Sequence, residues 1–143
     1  MCKLIRKIPD YRGEVFHIAK LSELSIDNIK EVYGSKCYPG MYKAWHYHTR
    51  QTQNYVVIQG MIRLAVSKNS WTPGSNFDID FDTHYIGDSN YQRITIQPGY
   101  INGYTAVGNT AAIVINVTNL EHDPNEMLRY DLNEFNYDWF KNF

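Results

Sequence analysis

Short stretches of alternating apolar and polar residues, separated by turn residues, follow one another along most of the chain. Gly60 ends one such stretch and begins the next, and Pro98-Gly99 marks a second turn. β-Branched and aromatic residues are frequent in these stretches, which favours strands over helices. The predicted strands cover residues 15–19, 29–33, 53–58, 61–66, 92–96 and 111–117, of which the last is the most apolar and is predicted to be central.

The segments between these strands indicate the fold class. Residues 71–82 are predicted to be a loop, and only residues 125–136 have room for a helical turn. Short strands joined by Gly, Pro and Asn turns are typical of a β-sandwich or barrel rather than of strand–helix–strand units. A chain of 143 residues can bury a substantial core but is too short for two ordinary domains. We therefore expect one all-β domain spanning residues 1–143.

Two histidines separated by one residue are the first candidates for chemistry. Residues at i and i+2 of a strand point to the same face, so His46 and His48 face one way while Tyr47 faces the other. Two neighbouring imidazoles inside a barrel can hold a metal or transfer protons. The predicted strands on either side of Gly60 read as a hairpin, which can bring Gln53 towards this pair.

Composition and charge exclude several classes of function. The net charge is −1 with acids and bases interspersed, so no basic surface for nucleic acid is expected. No segment approaches the roughly 20 apolar residues of a membrane-spanning helix. The first ten residues lack the apolar centre of a signal peptide. The chain has only two cysteines, Cys2 and Cys37, so we expect a reduced, cytoplasmic protein.

The spacing around the histidines resembles the first cupin motif. Gly40 is followed after five residues by His46, then by His48, Gln53 and Gly60 in the register of that motif. Cupins that bind a metal carry Glu where this chain has Gln53. The resemblance implies a cupin jelly roll, also called a double-stranded β-helix.

A second cupin motif is recognisable in residues 97–104, QPGYINGY, with Asn102 in place of the expected His. The nominal ligand positions therefore hold two imidazoles and the two neutral amides of Gln53 and Asn102. This is a poor set for a divalent cation, because a carboxylate or a third imidazole normally supplies the charge. We therefore predict that no metal or other cofactor is bound, and that the pocket receives an organic ligand.

Four segments resemble, in order, the nucleotide-sugar cupins typified by dTDP-4-dehydrorhamnose 3,5-epimerase. The resemblance implies a metal-independent homodimer, with an exchanged N-terminal strand, that takes a nucleotide-activated keto-sugar as its substrate. Such enzymes invert carbons next to the ketone of a nucleotide-linked 4-keto-6-deoxy sugar, and we expect a role in the synthesis of surface-polysaccharide sugars. The segments are residues 10–13 (DYRG), 39–46, 97–104 and 118–139.

The resemblance also implies roles for individual residues. His46 aligns with the catalytic base, which removes the weakly acidic proton next to the ketone. Asp131 falls near the position of the Asp that orients and charges this histidine. Arg12 and Lys43 match cationic positions that contact the diphosphate, although a lysine lacks the bidentate geometry of an arginine.

Two functional residues of the family are replaced in this chain. The lysine that stabilises the enolate corresponds to Gln53, which can donate a hydrogen bond but carries no charge. The tyrosine that returns a proton on the other face corresponds to Ile115, which has no proton to give. Tyr55, Tyr104 or Tyr100 could substitute for it from another strand. The candidate substrate-binding residues are then Arg12, Lys43, Gln53, Asn102, Tyr55 and Tyr104.

Three other functions remain open on the sequence alone. Sugar 3,4-ketoisomerases carry Arg-Gly-x-His-Ala-His, which resembles residues 43–48 and would make His48 catalytic beside His46. The uncharged Gln53 and Asn102 also fit a non-catalytic cupin that binds a nucleotide sugar. The same two residues disfavour a metal-dependent, dioxygenase-like cupin.

The C-terminal segment is rich in aromatic residues that are too apolar to remain in solvent. We expect them to cover either the barrel or a dimer partner. These residues are Phe135, Tyr137, Trp139, Phe140 and Phe143.

Overall fold

The computed structural model describes residues 1–141 and is built almost entirely from strands. Within these residues the one helical element is a short 3-10 turn at Leu21–Glu23. The strands are β1 (Cys2–Leu4), β2 (Lys7–Asp10), β3 (Gly13–Phe16), β4 (Glu31–Cys37), β5 (Tyr42–His48), β6 (Gln53–Gln59), β7 (Met61–Ser67), β8 (Phe81–Gly87), β9 (Gln92–Ile96), β10 (Ile101–Ala106), β11 (Ala112–Thr118) and β12 (Met127–Arg129).

Ten strands form two antiparallel five-stranded sheets that face each other. The first sheet has the order β1-β9-β6-β11-β4, and the second has the order β12-β5-β10-β7-β8. Apolar side chains from both sheets form the core between them, because alternate residues of each strand point inward. This core includes Tyr55, Val57, Leu64, Ile94 and Val114.

The turn at Gly60 does not close the hairpin that the sequence predicts. β6 pairs with β9 and β11 in the first sheet, whereas β7 pairs with β8 and β10 in the second. Gly60 has a φ of 75°, and a Cβ at this position would lie 2.8 Å from the carbonyl oxygen of Ala111. The backbone therefore turns from one sheet to the other where only glycine fits. Gln53 reaches the histidines across the core instead of along a hairpin.

The other sequence predictions have mixed outcomes. The strands at 53–58, 61–66, 92–96 and 111–117 are confirmed, and β11 lies inside its sheet, between β6 and β4. The helical turn predicted within 125–136 is wrong, because Met127–Arg129 pairs with β5 as the edge strand β12. The loop predicted at 71–82 ends earlier, because β8 begins at Phe81 and pairs with β7.

A second apolar cluster lies on the outer face of the second sheet. Trp45 is its centre, and the rings of Phe135, Tyr137 and Trp139 pack against it with centroids 5.7, 5.8 and 5.1 Å away. The expectation that the aromatic segment covers the barrel is confirmed for these three rings. Phe140 is 83% exposed and does not cover the barrel, so for this residue the alternative of a dimer partner stays a prediction. Phe143, which belongs to the same prediction, lies outside the described residues.

The remaining two strands form a separate hairpin near the N-terminus. β2 and β3 pair with each other and, within residues 1–141, with no third strand. Their apolar side chains Ile8, Val15 and Phe16 are exposed. The exchange of an N-terminal strand between the two copies of a homodimer stays a prediction. The described residues contain no helix long and apolar enough to cross a membrane.

Candidate active site

One large cavity opens between the two sheets at the end marked by β5 and β12. Its volume is about 810 Å³, within the range of roughly 300–1,000 Å³ typical of small-molecule sites. The second sheet and the segment after it contribute one wall, with His46, His48 and Arg129. The first sheet contributes the opposite wall, with Tyr33, Ser35, Gln53, Tyr55, Val114 and Asn116.

A β-bulge aims the two histidines into this cavity. Asn102 lies opposite His46, while the next residue, Gly103, lies opposite Ala44, so that Trp45 is the extra residue in β5. A Cβ on residue 103 would overlap the Cβ of Ala44. Glycine therefore permits the close approach of β10 and β5 at the bulge. As a result, Trp45 is buried in the outer aromatic cluster while His46 and His48 line the cavity.

His46 is held as a neutral imidazole. Burial, followed by the positive charges of Arg129, His48 and Lys43, lowers the pKa of His46 to about 4. Arg129 lies directly opposite His46 in the pairing of β12 with β5. The buried Nδ1 of His46 accepts and donates no hydrogen bond within the described part of the chain. An unprotonated, unpaired imidazole of this kind can accept a proton from a ligand.

His48 forms a buried pair with a carboxylate that sequence reasoning missed. Its Nδ1 lies 2.5 Å from Oε1 of Glu126. Oε2 of Glu126 accepts hydrogen bonds from the backbone N–H groups of Arg50 and Gln51. Burial opposes ionisation, but these contacts outweigh it and lower the pKa of Glu126 below its usual value. No local pattern marks Glu126, because only the pairing of β12 with β5 brings it to His48.

The amides of Gln53 and Asn102 belong to a closed ring of hydrogen bonds with Tyr55. Gln53 Nε2 donates to the hydroxyl of Tyr55 at 2.8 Å, which donates to Oδ1 of Asn102 at 3.3 Å. Nδ2 of Asn102 completes the ring by donating to Oε1 of Gln53 at 3.2 Å. All three residues are buried, and burial raises the pKa of Tyr55 well above its usual value. The hydroxyl proton of Tyr55 is therefore engaged within the ring.

Lys43 and Tyr104 meet at one serine on the opposite wall. Nζ of Lys43 donates to Oγ of Ser35 at 2.6 Å, and the hydroxyl of Tyr104 donates to the same oxygen at 3.2 Å. Burial raises the pKa of Tyr104 to about 12. The ammonium group of Lys43 thus lies at the cavity wall, where it can contact an anionic ligand.

The residue that faces the cavity near the family's acidic tyrosine is Asn116, not Ile115. Val114 and Asn116 line the cavity, whereas Ile115, which lies between them on β11, points to the other face of the sheet. Asn116 Nδ2 donates to the hydroxyl oxygen of Tyr33 at 2.9 Å. Tyr33 was not singled out in the sequence, because its importance depends on the pairing of β4 with β11.

Asp131 and Arg12 are two predicted site residues that make no hydrogen bond to the histidines in the described part of the chain. Asp131 lines the cavity but, within residues 1–141, makes no hydrogen bond to His46. Arg12 lies at the tip of the β2–β3 hairpin, outside the cavity lining, where its Nη2 is 2.8 Å from Oδ2 of Asp10. The remaining site residues predicted from sequence come together at the cavity, with Asn102 behind its lining.

The cavity does not offer a conventional set of metal ligands. Residues 1–141 contain no cluster of three or more His, Cys, Asp or Glu side chains arranged to hold a metal ion. The oxygens of Gln53 and Asn102 accept hydrogen bonds within the ring, and Nδ1 of His48 is engaged by Glu126.

Comparison with known proteins gives matches over most of the chain. A probable low-salt glycan biosynthesis epimerase of Haloferax volcanii is 32% identical over 140 residues, covering 91% of this chain and 86% of that protein. The chain belongs to this family of sugar epimerases. No family model matches the sequence.

Two further relatives of the epimerase family agree with this assignment. A spore coat polysaccharide biosynthesis protein of Bacillus subtilis is 27% identical over 127 residues, covering 87% of this chain and 81% of that protein. The solved structure of a dTDP sugar isomerase from Desulfovibrio desulfuricans matches with a TM-score of 0.85 and 27% identity, covering 97% of this chain and 89% of that chain. The predicted cupin jelly roll and the resemblance to epimerases are confirmed. The protein is an enzyme of the sugar epimerase and isomerase group of polysaccharide and glycan biosynthesis.

Proposed function

We propose that this enzyme epimerises a nucleotide-linked 4-keto-6-deoxy sugar at C3, C5 or both, without a metal, in the synthesis of surface-polysaccharide sugars. The single observation that carries the proposal is His46, a partly buried, neutral imidazole in a cavity of about 810 Å³. A proton next to a ketone is weakly acidic, so its removal needs an unprotonated base held in a site sheltered from water. His46 supplies that base.

Epimerisation also needs an acid on the opposite side of the sugar. Tyr33 is the best candidate, because it lies on the sheet facing His46 and its oxygen already accepts a hydrogen bond from Asn116. The C–H proton moves to His46 and its electron pair delocalises onto the ketone oxygen. Tyr33 then returns a proton to the other face of the same carbon. Water carries the proton from His46 back to Tyr33 after the product leaves.

Cationic groups near the histidines suit a diphosphate. Lys43 and Arg129 both line the cavity and leave its histidine wall positively charged. Asp131 remains a candidate for orienting His46 once substrate binds, since it lines the same cavity. Arg12 would reach a diphosphate only from a second copy of the chain, through the exposed hairpin.

A homodimer in the cytoplasm is part of the proposal. The exposed apolar residues Ile8, Val15 and Phe16 of the β2–β3 hairpin support the dimer, since a second copy would bury them. Sedimentation equilibrium should give twice the chain mass. A variant with Val15→Glu and Phe16→Glu should sediment as a monomer, and a wild-type protein that is monomeric at micromolar concentration would contradict the dimer.

The test is proton NMR with dTDP- and GDP-linked 4-keto-6-deoxy sugars in deuterated water. Disappearance of the C3 or C5 proton signal is expected with the wild type and not with His46→Ala, and the labelled carbon identifies the reaction. If the C3 and C5 proton signals of every keto sugar stay intact although the protein binds one of these sugars, the epimerase proposal is overturned. The protein would then be a non-catalytic nucleotide-sugar-binding protein.

Sugar 3,4-ketoisomerisation is the second candidate, and one observation favours it. His46 and His48 lie on the same wall of the cavity, so both can transfer protons on one side of the sugar. Moving a ketone from C4 to C3 requires proton transfers at adjacent atoms and no donor on the opposite face. In the same NMR experiment this reaction would label one carbon and move the carbonyl resonance, whereas epimerisation keeps the carbonyl at C4.

A further inference from the structure

Glu126 is a buried carboxylate whose contacts all point to one function. Glu126 is only 2% exposed and lies just before β12. One oxygen pairs with Nδ1 of His48, and the other accepts backbone hydrogen bonds from Arg50 and Gln51, both at 3.2 Å. A buried negative charge is tolerated when it is paired and fully hydrogen-bonded, as here. Glu126 is thus fixed in position before any ligand arrives.

The pair determines how His48 presents itself to a ligand. Because Nδ1 is engaged by Glu126, Nε2 is the ring nitrogen left for the cavity that His48 lines. When both ring nitrogens of His48 carry protons, Nδ1 donates to Glu126 and Nε2 can donate to a ligand in the cavity. His48 is therefore suited to donate a hydrogen bond or a proton from Nε2.

The chemistry of the proposed function leaves an unfilled role for such a donor. An enolate needs a donor or a cation beside its oxygen. Gln53 is uncharged, and its amide is engaged in the ring with Tyr55 and Asn102. The ammonium group of Lys43 donates to Ser35 on the opposite wall and is assigned to the diphosphate. His48 lies beside His46 on the same face of β5. In a keto-sugar, the ketone group is likewise adjacent to the carbon that loses its proton, so His48 is placed to contact the ketone oxygen.

We propose that His48 is the electrophilic catalyst of the reaction and that Glu126 is its positioning residue. This inference rests on the proposed function and deepens it. His46 takes the proton from the carbon, and the electron pair of the broken C–H bond moves to the ketone oxygen. That oxygen receives a proton, or a strong hydrogen bond, from Nε2 of His48. Tyr33 then donates a proton to the other face of the carbon, and the ketone oxygen returns its proton to Nε2 of His48. Water carries the proton from His46 to Tyr33 after the product leaves.

The decisive variant is His48→Asn. The asparagine amide nitrogen can replace Nδ1 as the donor to Glu126, which keeps the buried hydrogen bond while removing Nε2. Loss of a catalytic acid typically reduces the rate by about 10²- to 10⁴-fold, and we expect kcat for deuterium exchange to fall by this factor with KM unchanged. Thermal unfolding of this variant should match the wild type.

Glu126→Gln tests the positioning residue. Removing a carboxylate that orients a functional imidazole typically costs about 10- to 100-fold in activity, and we expect this loss in kcat. In the His48→Asn background, Glu126→Gln should cause no further loss, since its effect passes through His48. The matched control is Glu121→Gln, the same substitution at an exposed position outside the cavity lining, which should exchange at the wild-type rate.

Nitrogen-15 NMR of histidine-labelled wild type tests the pair without relying on a variant that folds. A proton on Nδ1 of His48, shifted far downfield by the contact with Glu126, is expected, and an unprotonated Nδ1 would overturn the proposal. Wild-type kcat in His48→Asn would also overturn it while leaving the proposed function intact. If the wild type exchanges no keto sugar, the proposed function itself fails, and the catalytic assignment of the pair fails with it.

Discussion

The histidine wall of the cavity and the ring of Gln53, Tyr55 and Asn102 differ in how their polar side chains are paired. On the histidine wall, His46 has a buried nitrogen without a partner within residues 1–141, and charged groups surround it. Next to this wall, Gln53 and Tyr55 of β6 and Asn102 of β10 satisfy one another in a closed, uncharged ring that joins the two sheets. Buried polar groups are normally paired, so an unpaired one calls for an explanation. The contrast indicates that the histidine wall provides reactivity and that the amide ring provides shape and rigidity.

Substitution of His46 should have the largest effect. Glutamine is similar in size but cannot act as a base near neutral pH, so the exchange rate of His46→Gln should fall by about 10²- to 10⁴-fold. Its thermal stability should not decrease, because the change removes a buried, unpaired imidazole nitrogen. Deuterium exchange and a melting curve on the same sample measure both quantities. His17→Gln, outside the cavity lining, is the control. Wild-type exchange in His46→Gln would assign the reactivity to another group.

Much of the fold followed from patterns that are local in sequence. The jelly roll could be predicted from the alternation in residues 53–58 and 92–96 and from the spacing of glycines and histidines. These signals are local because strands and turns depend on neighbouring residues. The Gly60 turn was misread, since alternation does not reveal which sheet a strand joins. β12 was misread because it is a three-residue edge strand that exists only through pairing with β5.

The site was predictable only where one strand carried it. His46 and His48 share a face of β5, so their approach could be inferred from spacing. Glu126 lies 78 positions from His48, and only the β12–β5 pairing makes them neighbours. Tyr33 and Asn116 likewise meet across paired strands from distant parts of the chain. Alignment by counting put Ile115 at a cavity position that Asn116 occupies, since a one-residue slip on a strand reverses the face.

The amide ring should matter for stability more than for rate. Asn102→Leu removes the donor to Gln53 and the acceptor of the Tyr55 proton, and each unsatisfied buried group costs about 1–3 kcal/mol. We therefore expect the free energy of unfolding in urea to fall by about 1–3 kcal/mol or more, with exchange reduced far less than in His46→Gln. Asn125→Leu, at an exposed amide, should change stability by no more than about 0.5 kcal/mol. Unchanged stability in Asn102→Leu would show that the ring is not rigid.

Substitution of Lys43 tests whether the positive charge on the histidine wall contributes to substrate binding or to the chemical step. Lys43→Met removes the ammonium group that donates to Ser35 while keeping the length of the side chain. A hydrogen bond to a charged group contributes about 1.5–3 kcal/mol, so KM should rise roughly 10- to 100-fold with kcat nearly unchanged. Lys43→Arg preserves the charge and should retain most of the affinity. A fall in kcat with constant KM would instead place Lys43 in the chemical step.

The pH dependence of exchange should report the protonation of His46. His46 acts as a base only when unprotonated, so exchange should decrease as the pH falls through about 4. Its pKa is lower in the folded state than its usual 6.5, so the unfolded chain binds more protons between these values. Stability should therefore rise with pH across this window. Urea unfolding at several pH values should show a smaller slope for His46→Gln than for wild type, and equal slopes would contradict the burial of an uncharged His46.

Metal removal should have the smallest effect. The cupin ligand positions hold His46, His48, Gln53 and Asn102. The amide oxygens of Gln53 and Asn102 accept hydrogen bonds within the ring that they form with Tyr55, so they do not converge on one point. Dialysis against EDTA should therefore leave the exchange rate within about twofold of the untreated enzyme, since two imidazoles and two amides bind divalent cations weakly. The double variant Gln53→Glu with Asn102→His restores a carboxylate and a third imidazole, and it should take up Zn²⁺ in a calorimetric titration. Loss of exchange in EDTA, restored by a divalent cation, would reverse the comparison by making the amide ring part of the reactive centre.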